Sequence, residues 1–363
     1  MTIELNKPLV PDLSKLNYYL KKVNNSGWYT NFGPLHQLLT ERLEDYLGVD
    51  NLLLVSNGTL ALQVAYKVLD VKKAITTPFS FIATTSSLLW QGIETSFSDV
   101  DTNTYNLCPD KVLEALEQYP TIDTLVPTHV YGNPCDVMSF DNIAKKHGLK
   151  VIYDAAHAFG VNVDSQSVLN FGDASTLSFH ATKVFHTVEG GAIIFKEKED
   201  FERAKRLINF GSNEQGDCNE VGINAKLNEY QCAVGLTLLD DIEKVVQHRS
   251  SLFKYYRKAL KGIVEFPDWH ATASHNGAYM PIKLKCCMQR NMLEEALKAN
   301  GIQCRKYFSP SLDTVFTKQM VFSNFNSHDA ARTILCLPLH FYMSFSDIDN
   351  IKKKIIFILG NSI

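Results

Sequence analysis

The 363-residue chain is 45% hydrophobic and 21% charged, with a formal net charge of -3, so it holds enough apolar material for two domains with sizeable cores. The near balance of charge, with no basic stripe interleaved with aromatics, excludes a dedicated nucleic-acid partner. Apolar runs fall short of a membrane span, and the opening Met1-Thr2-Ile3-Glu4-Leu5-Asn6 lacks a basic region followed by an apolar core, so a soluble cytoplasmic protein is expected rather than a secreted or membrane one.

In chain order, residues 51–65 read as a buried strand, the polar turn Ser56-Asn57-Gly58-Thr59, and an apolar-rich helix. Such a turn leaves the first N–H groups of the helix free to receive a phosphate. Gly58 allows close approach and Thr59 adds a hydroxyl, although the same turn is also an ordinary N-cap. The 76–84 segment follows a short apolar run and carries Phe79 and Phe81; one ring is expected in the core and the other flat on a cofactor ring. Helices at 110–118 and 141–147, the latter ended by Gly148, alternate with strands at 124–130 and 150–154, which points to a parallel sheet covered by helices.

The 150–154 strand ends in Asp154 followed by small residues. In open α/β sheets, ligand groups gather at such carboxyl ends. A carboxylate there suits the pyridine nitrogen of pyridoxal 5'-phosphate (PLP), because keeping that nitrogen protonated makes the ring an electron sink; the alternative is a cap on the next turn. His157 follows three residues later, either toward the cofactor's ring or as a satisfied core histidine. The 176–195 stretch then sets one lysine, Lys183, between two strand-like runs bounded by Gly190-Gly191. A lysine amine in a partly desolvated site forms a Schiff base with a carbonyl, that of a substrate or of PLP.

Beyond it, a helical pattern over 228–260 is expected to bridge two domains. A strand at 280–284, a helix at 289–299 and a closing helix with Ser346 as N-cap describe a smaller α+β unit. The eight cysteines, spread without a Cys-x-x-Cys pair, fit neither a zinc site nor a disulfide framework and read as reduced thiols, mostly in the core.

Gly58-Thr59, the 78–84 segment, Asp154-Ala155-Ala156-His157, Ser178-Phe179-His180-Ala181-Thr182-Lys183 and Glu189-Gly190-Gly191 together resemble the motifs of the DegT/StrS family of PLP-dependent nucleotide-sugar aminotransferases. The resemblance runs nearly end to end, through Gly27-Trp28, Gly33-Pro34, Pro127-Thr128-His129-Val130-Tyr131-Gly132 and Leu337-Pro338-Leu339. It implies an α/β chain of PLP fold type I, aspartate aminotransferase-like. The large domain (1–240) would hold a mostly parallel sheet between helices, and the smaller C-terminal domain (241–363) would be α+β. It also implies Lys183 as the Schiff-base lysine, Asp154 at the pyridinium, His157 at the ring hydroxyl, Ser178 with Gly58 and Thr59 at the phosphate, and Phe81 stacked on the ring. In the family, the Asn of a Gly-x-Asn-x-Lys/Arg segment reaches the neighbouring subunit's phosphate. Gly222-Ile223-Asn224-Ala225-Lys226 matches it, so a homodimer with shared active sites is expected.

Tyr29, Arg305 and Tyr307 are the expected nucleotide or sugar contacts, with Arg305 either pairing with a diphosphate or standing as a surface arginine after the Gly301 turn, and the resemblance implies L-glutamate as amino donor. The 131–136 and 180–185 segments look most like enzymes that convert dTDP-4-keto-6-deoxyglucose to a dTDP-4-amino-4,6-dideoxy sugar for surface glycans, although His186 stands where a small polar residue such as Asn is common. The alternative is amination of a dTDP-3-keto-6-deoxyhexose. A sugar dehydratase would replace the lysine with histidine, whereas here Lys183 is present and His180 lies three positions early. A regulator would need a lost catalytic group or a DNA-binding arm, and the sequence carries neither.

Overall fold

The structure is a computed structural model that describes residues 2–213 and 215–360. Helices α1 (Leu13–Ser26) and α2 (Pro34–Leu47) lead into β1 (Leu52–Val55), α3 (Gly58–Val68), β2 (Lys73–Thr76), α4 (Ile82–Trp90), β3 (Glu94–Phe97), α5 (Pro109–Gln118), β4 (Thr124–Val126), α6 (Val137–His147) and β5 (Lys150–Asp154). A small hairpin, β6 (Asn162–Val163) and β7 (Gln166–Ser167), precedes β8 (Ala174–Ser178), β9 (Gly191–Phe195) and α7 (Lys198–Leu207). Next come α8 (Glu229–Leu239), α9 (Ile242–Ala259), β10 (Met280–Lys283), α10 (Cys287–Ala299), β11 (Met320–Val321), α11 (Phe325–Thr333), β12 (Ile334–Leu337) and α12 (Phe345–Gly360).

Eight strands form one sheet in the order β1-β9-β8-β5-β4-β2-β3-β11. Only β9 runs against the rest, pairing antiparallel with β1 and β8. Strands β1, β4 and β9 are buried along their whole length, as a sheet covered on both faces requires. One apolar cluster joins α1, α2 and α8 to the sheet through Val23, Leu39, Leu43, Leu54, Leu125 and Leu236. The opposite face packs Leu62, Val64, Ile152 and Ile193. A separate core gathers Phe253, Tyr256, Met280, Leu293, Leu335, Ile348 and Ile351 around the antiparallel pair β10 and β12. Two segments cross between these bodies: Ile3 pairs with Ile302, and β11 adds itself to the edge of the large sheet beside β3.

Several expected elements change on folding. The 228–260 helix is two helices broken at Asp240-Asp241, where Arg42 Nη1 holds Asp240 and Lys15 Nζ holds Asp241, each at 2.9 Å. Acids are unfavourable at the carboxyl end of one helix and favourable at the start of the next, which makes this a natural place for a break. Strand β4 is shorter than expected, because Val130–Gly132 turn away in a 3-10 helix. Helix α6 starts earlier, at Val137, since Asp136 caps it by accepting from Ser139 N at 3.0 Å. The closing helix is capped by Ser344 rather than Ser346: Ser344 N donates to Asp347 Oδ2 at 2.8 Å and Asp347 N donates back to Ser344 Oγ, a reciprocal capping box. Of the cysteines, Cys135, Cys232 and Cys336 are buried, while Cys218 and Cys286 are exposed.

Candidate active site

The carboxyl ends of β1, β4, β5 and β8 open into one cavity of about 320 Å³. At its floor, Asn57 caps α3 by accepting from Leu60 N at 2.8 Å. Gly58 lets that helix start lie against the end of β8, where an added Cβ would come within 2.8 Å of Ser178 Cβ. The free N–H groups of α3, with Thr59 and Ser178 on the same wall, form an anion cradle. Strand register does the rest. Thr128 pairs with Asp154, and Asp154 with Thr176, in parallel, so the three lie in one row and all line the cavity.

Lys183 stands opposite in a tight loop, its N–H donating to His180 O at 2.9 Å. The loop is closed by Phe179 N to Gly190 O and Thr187 N to Phe179 O. Burial pushes the Lys183 ammonium down to about 8, against the pull of the nearby Asp154 carboxylate. Burial, and then the charge of Lys183, hold His157 well below its ordinary range, so its ring is neutral. Asp154 is 6% exposed; its Oδ1 accepts from Ala156 N at 3.1 Å and its Oδ2 from Thr84 Oγ1 at 2.6 Å.

The far wall comes from the C-terminal body. Asn276 Nδ2 donates to His157 O and Phe159 O at 2.8 and 3.0 Å. The buried Arg249 donates to the carbonyls of Gly277, Ala278 and Leu339. This bolted segment sets Tyr279 edge-on to His157, ring centres 4.6 Å apart, while Phe308 stacks parallel to the same imidazole at 6.0 Å. The Arg305 guanidinium lies over the Tyr307 ring at 4.9 Å and has no ion-pair partner among the described residues.

A PLP molecule presents an aldehyde, a pyridine nitrogen, a ring hydroxyl and a phosphate. The cavity offers an amine, a carboxylate, a neutral histidine and an anion cradle. Two of its buried polar atoms, His157 Nδ1 and Thr128 Oγ1, lack a hydrogen-bond partner among the described residues, and a buried polar group without one is costly unless a ligand supplies it. The residues therefore fit the cofactor.

Of the residues singled out from the sequence, Lys183, Asp154, His157, Ser178, Gly58, Thr59, Phe81, Arg305 and Tyr307 all line this cavity. Phe81 is half exposed at the mouth and Phe79 is fully buried, so Phe79 is the core ring of the pair. Tyr29 and Asn224 do not reach the cavity of their own chain. Tyr29 stacks on Tyr230, and Asn224 bridges to Asn209. Sequence reasoning missed Thr84, Thr128, Tyr279 and Phe308. Thr84 had no local signal, since Phe81 before it is the extended N-cap residue outside the helix and its contact with Asp154 joins two distant elements; Tyr279 and Phe308 had none either.

Residues 13–356 match the family described as the DegT/DnrJ/EryC1/StrS aminotransferase family. The chain is 40% identical to a dTDP-4-amino-4,6-dideoxy-D-glucose transaminase of Shigella dysenteriae, over 95% of this chain and 96% of that one. It is 36% identical to an Escherichia coli enzyme of the same name, over 93% and 94%. The crystal structure of DesI with its TDP-sugar product superposes with a TM-score of 0.93 at 30% identity, covering 99% of this chain and 94% of that one.

Proposed function

The chain belongs to the DegT/DnrJ/EryC1/StrS aminotransferase family, and on that premise we propose that it aminates C4 of dTDP-4-keto-6-deoxyglucose, with L-glutamate as donor, to give dTDP-4-amino-4,6-dideoxyglucose. The chain is a PLP-dependent aminotransferase acting on a nucleotide sugar. The observation that carries the C4 reading is likeness along nearly the whole chain to two transaminases named for the 4-amino sugar.

When bound, PLP supplies a carbonyl for amine exchange and an electron sink for the carbon that loses its proton. The rest falls to the chain. Lys183 Nζ anchors the cofactor, then takes the proton from the α-carbon of glutamate and later returns one to C4 of the sugar. An amine whose pKa is lowered to about 8 leaves roughly a tenth neutral at pH 7, enough for a base, and its conjugate acid is a ready donor. Asp154 would hold the pyridine nitrogen, the neutral His157 the ring hydroxyl, and the α3 start with Thr59 and Ser178 the phosphate, while Phe81 at the mouth would cover the ring. Arg305 and Tyr307 meet the nucleotide sugar from the C-terminal side, where an unpaired guanidinium suits a diphosphate. Tyr29 and Asn224 act on the cavity of a second copy.

The test offers the 4-keto and the isomerised 3-keto dTDP sugars separately, with PLP and glutamate, and locates the new amine by NMR. An amine at C4 from the first sugar is the expected result. Amination of the 3-keto sugar alone would replace the C4 reading with the C3 one and leave the aminotransferase intact.

A further inference from the structure

Asp154 carries two oxygens and about four lone-pair sites, yet among the described residues only two protein donors reach them. One is its own turn, through Ala156 N; the other is Thr84 Oγ1, at 2.6 Å, from the first turn of α4. Thr84 is fully buried. Its carbonyl is also engaged, accepting from Ser87 Oγ at 3.1 Å, so the residue is held at both ends. The same helix turn starts from Phe81, whose carbonyl accepts from Thr84 N at 3.2 Å. Asp154 itself lines the cavity.

We propose that Thr84 is a positioning residue of the transamination site: its hydroxyl locks the plane of the Asp154 carboxylate, so that the face turned to the cavity receives the cofactor's ring nitrogen in one orientation. This rests on the reading of Asp154 as the partner of that nitrogen. A carboxylate held only by its own turn would rotate, and the ring above it would lose a fixed partner. A hydrogen bond to a charged group is worth about 1.5–3 kcal/mol, which corresponds to roughly tenfold to a hundredfold in an equilibrium constant.

The experiment is a double-mutant cycle on the holoenzyme with Thr84→Val, Thr84→Ser, Asp154→Asn and the Val/Asn pair. It reads the PLP dissociation constant by fluorescence, the circular dichroism of the bound cofactor, and kcat. Thr84→Val, nearly isosteric, should weaken PLP by about tenfold or more, alter the cofactor's dichroism and lower kcat. Thr84→Ser should restore all three, and Thr84→Val should change nothing further once Asp154 is Asn. If Asp154→Asn impairs the cofactor while Thr84→Val leaves affinity and dichroism at wild-type values, or if the two effects simply add, Thr84 does not act through Asp154 and the proposal is wrong. If Asp154→Asn itself is silent, the reading of Asp154 fails, and the Thr84 proposal with it. Thermal unfolding of the cofactor-free Thr84→Val protein separates misfolding from mispositioning, and the serine variant carries the test should valine not fold.

Discussion

A single half-buried amine makes Lys183 costly to the empty protein as well as useful to the loaded one. Its folded pKa of about 8 lies below the ordinary 10.5, so the folded state carries the full penalty of a confined ammonium below about pH 8. That penalty fades as pH rises toward 10.5, where the unfolded chain also gives up its proton. Cofactor-free Lys183→Met should therefore be more stable than wild type at pH 7, by about 1–3 kcal/mol. Urea unfolding should show the gain vanish above pH 10.5. The same protein should lose turnover and the borohydride-reducible lysine adduct together. If peptide mapping of the reduced wild-type protein placed PLP on another lysine, the assignment of Lys183 would be lost.

At the scale of elements, the start of α2 shows how the site's surroundings are held from a distance. Gly33 occupies its N-cap position and offers no side chain. A Cβ there would sit 2.7 Å from the carboxyl carbon of Glu229. That buried carboxylate, at the start of α8, instead accepts from Leu35 N and His36 N, both at 2.8 Å. One acid thus caps a helix from 194 residues away along the chain. Glu229→Ala leaves two buried helix-start donors unsatisfied and should cost about 2–4 kcal/mol, measured as a lowered urea midpoint. A change within 0.5 kcal/mol would mean that water replaces the carboxylate. The proline after Gly33 suits a helix start, whereas the cap depends on how α2 and α8 pack rather than on any local spacing.

For the whole molecule, two consequences follow. Trp28, Tyr29, Phe210, Val221 and Tyr230 leave large apolar surface exposed, and Asn224 lies outside the cavity of its own chain. We propose a homodimer in which these segments complete the partner's site, burying about 2,000 Å² or more. Asn224→Ala should then loosen PLP by about tenfold to a hundredfold, and a fully active monomer in sedimentation velocity would refute the arrangement. The second consequence is acid sensitivity. Burial drives His129 down to about 3 and His36 down to about 4. Nδ1 of His129 accepts from Cys135 N, so its ring must stay neutral. Groups with depressed histidine pKa values contribute stability that is intact above 6.5 and is lost as pH falls toward the folded values. Each should cost roughly 1–2 kcal/mol between pH 7 and pH 5, and a urea midpoint that stays flat over that range would contradict it.

The sequence by itself determined the alternation of strands and helices up to β5, the family, and the residues whose chemistry is local to a turn. Gly58-Thr59, Asp154 to His157 and Ser178 to Lys183 each sit at the end of one strand, where sequence neighbours are also spatial neighbours. Tertiary structure alone decided what depends on docking: the antiparallel course of β9, the entry of β11 into the large sheet, and the approach of Tyr279 and Phe308 to the cavity. It also decided the row of Thr128, Asp154 and Thr176, because strand register is fixed by the burial of two whole sheet faces. The hydroxyl of Thr84 on Asp154 belongs to the same class, since it joins residues 70 positions apart whose distance only the packing of α4 on the sheet could set.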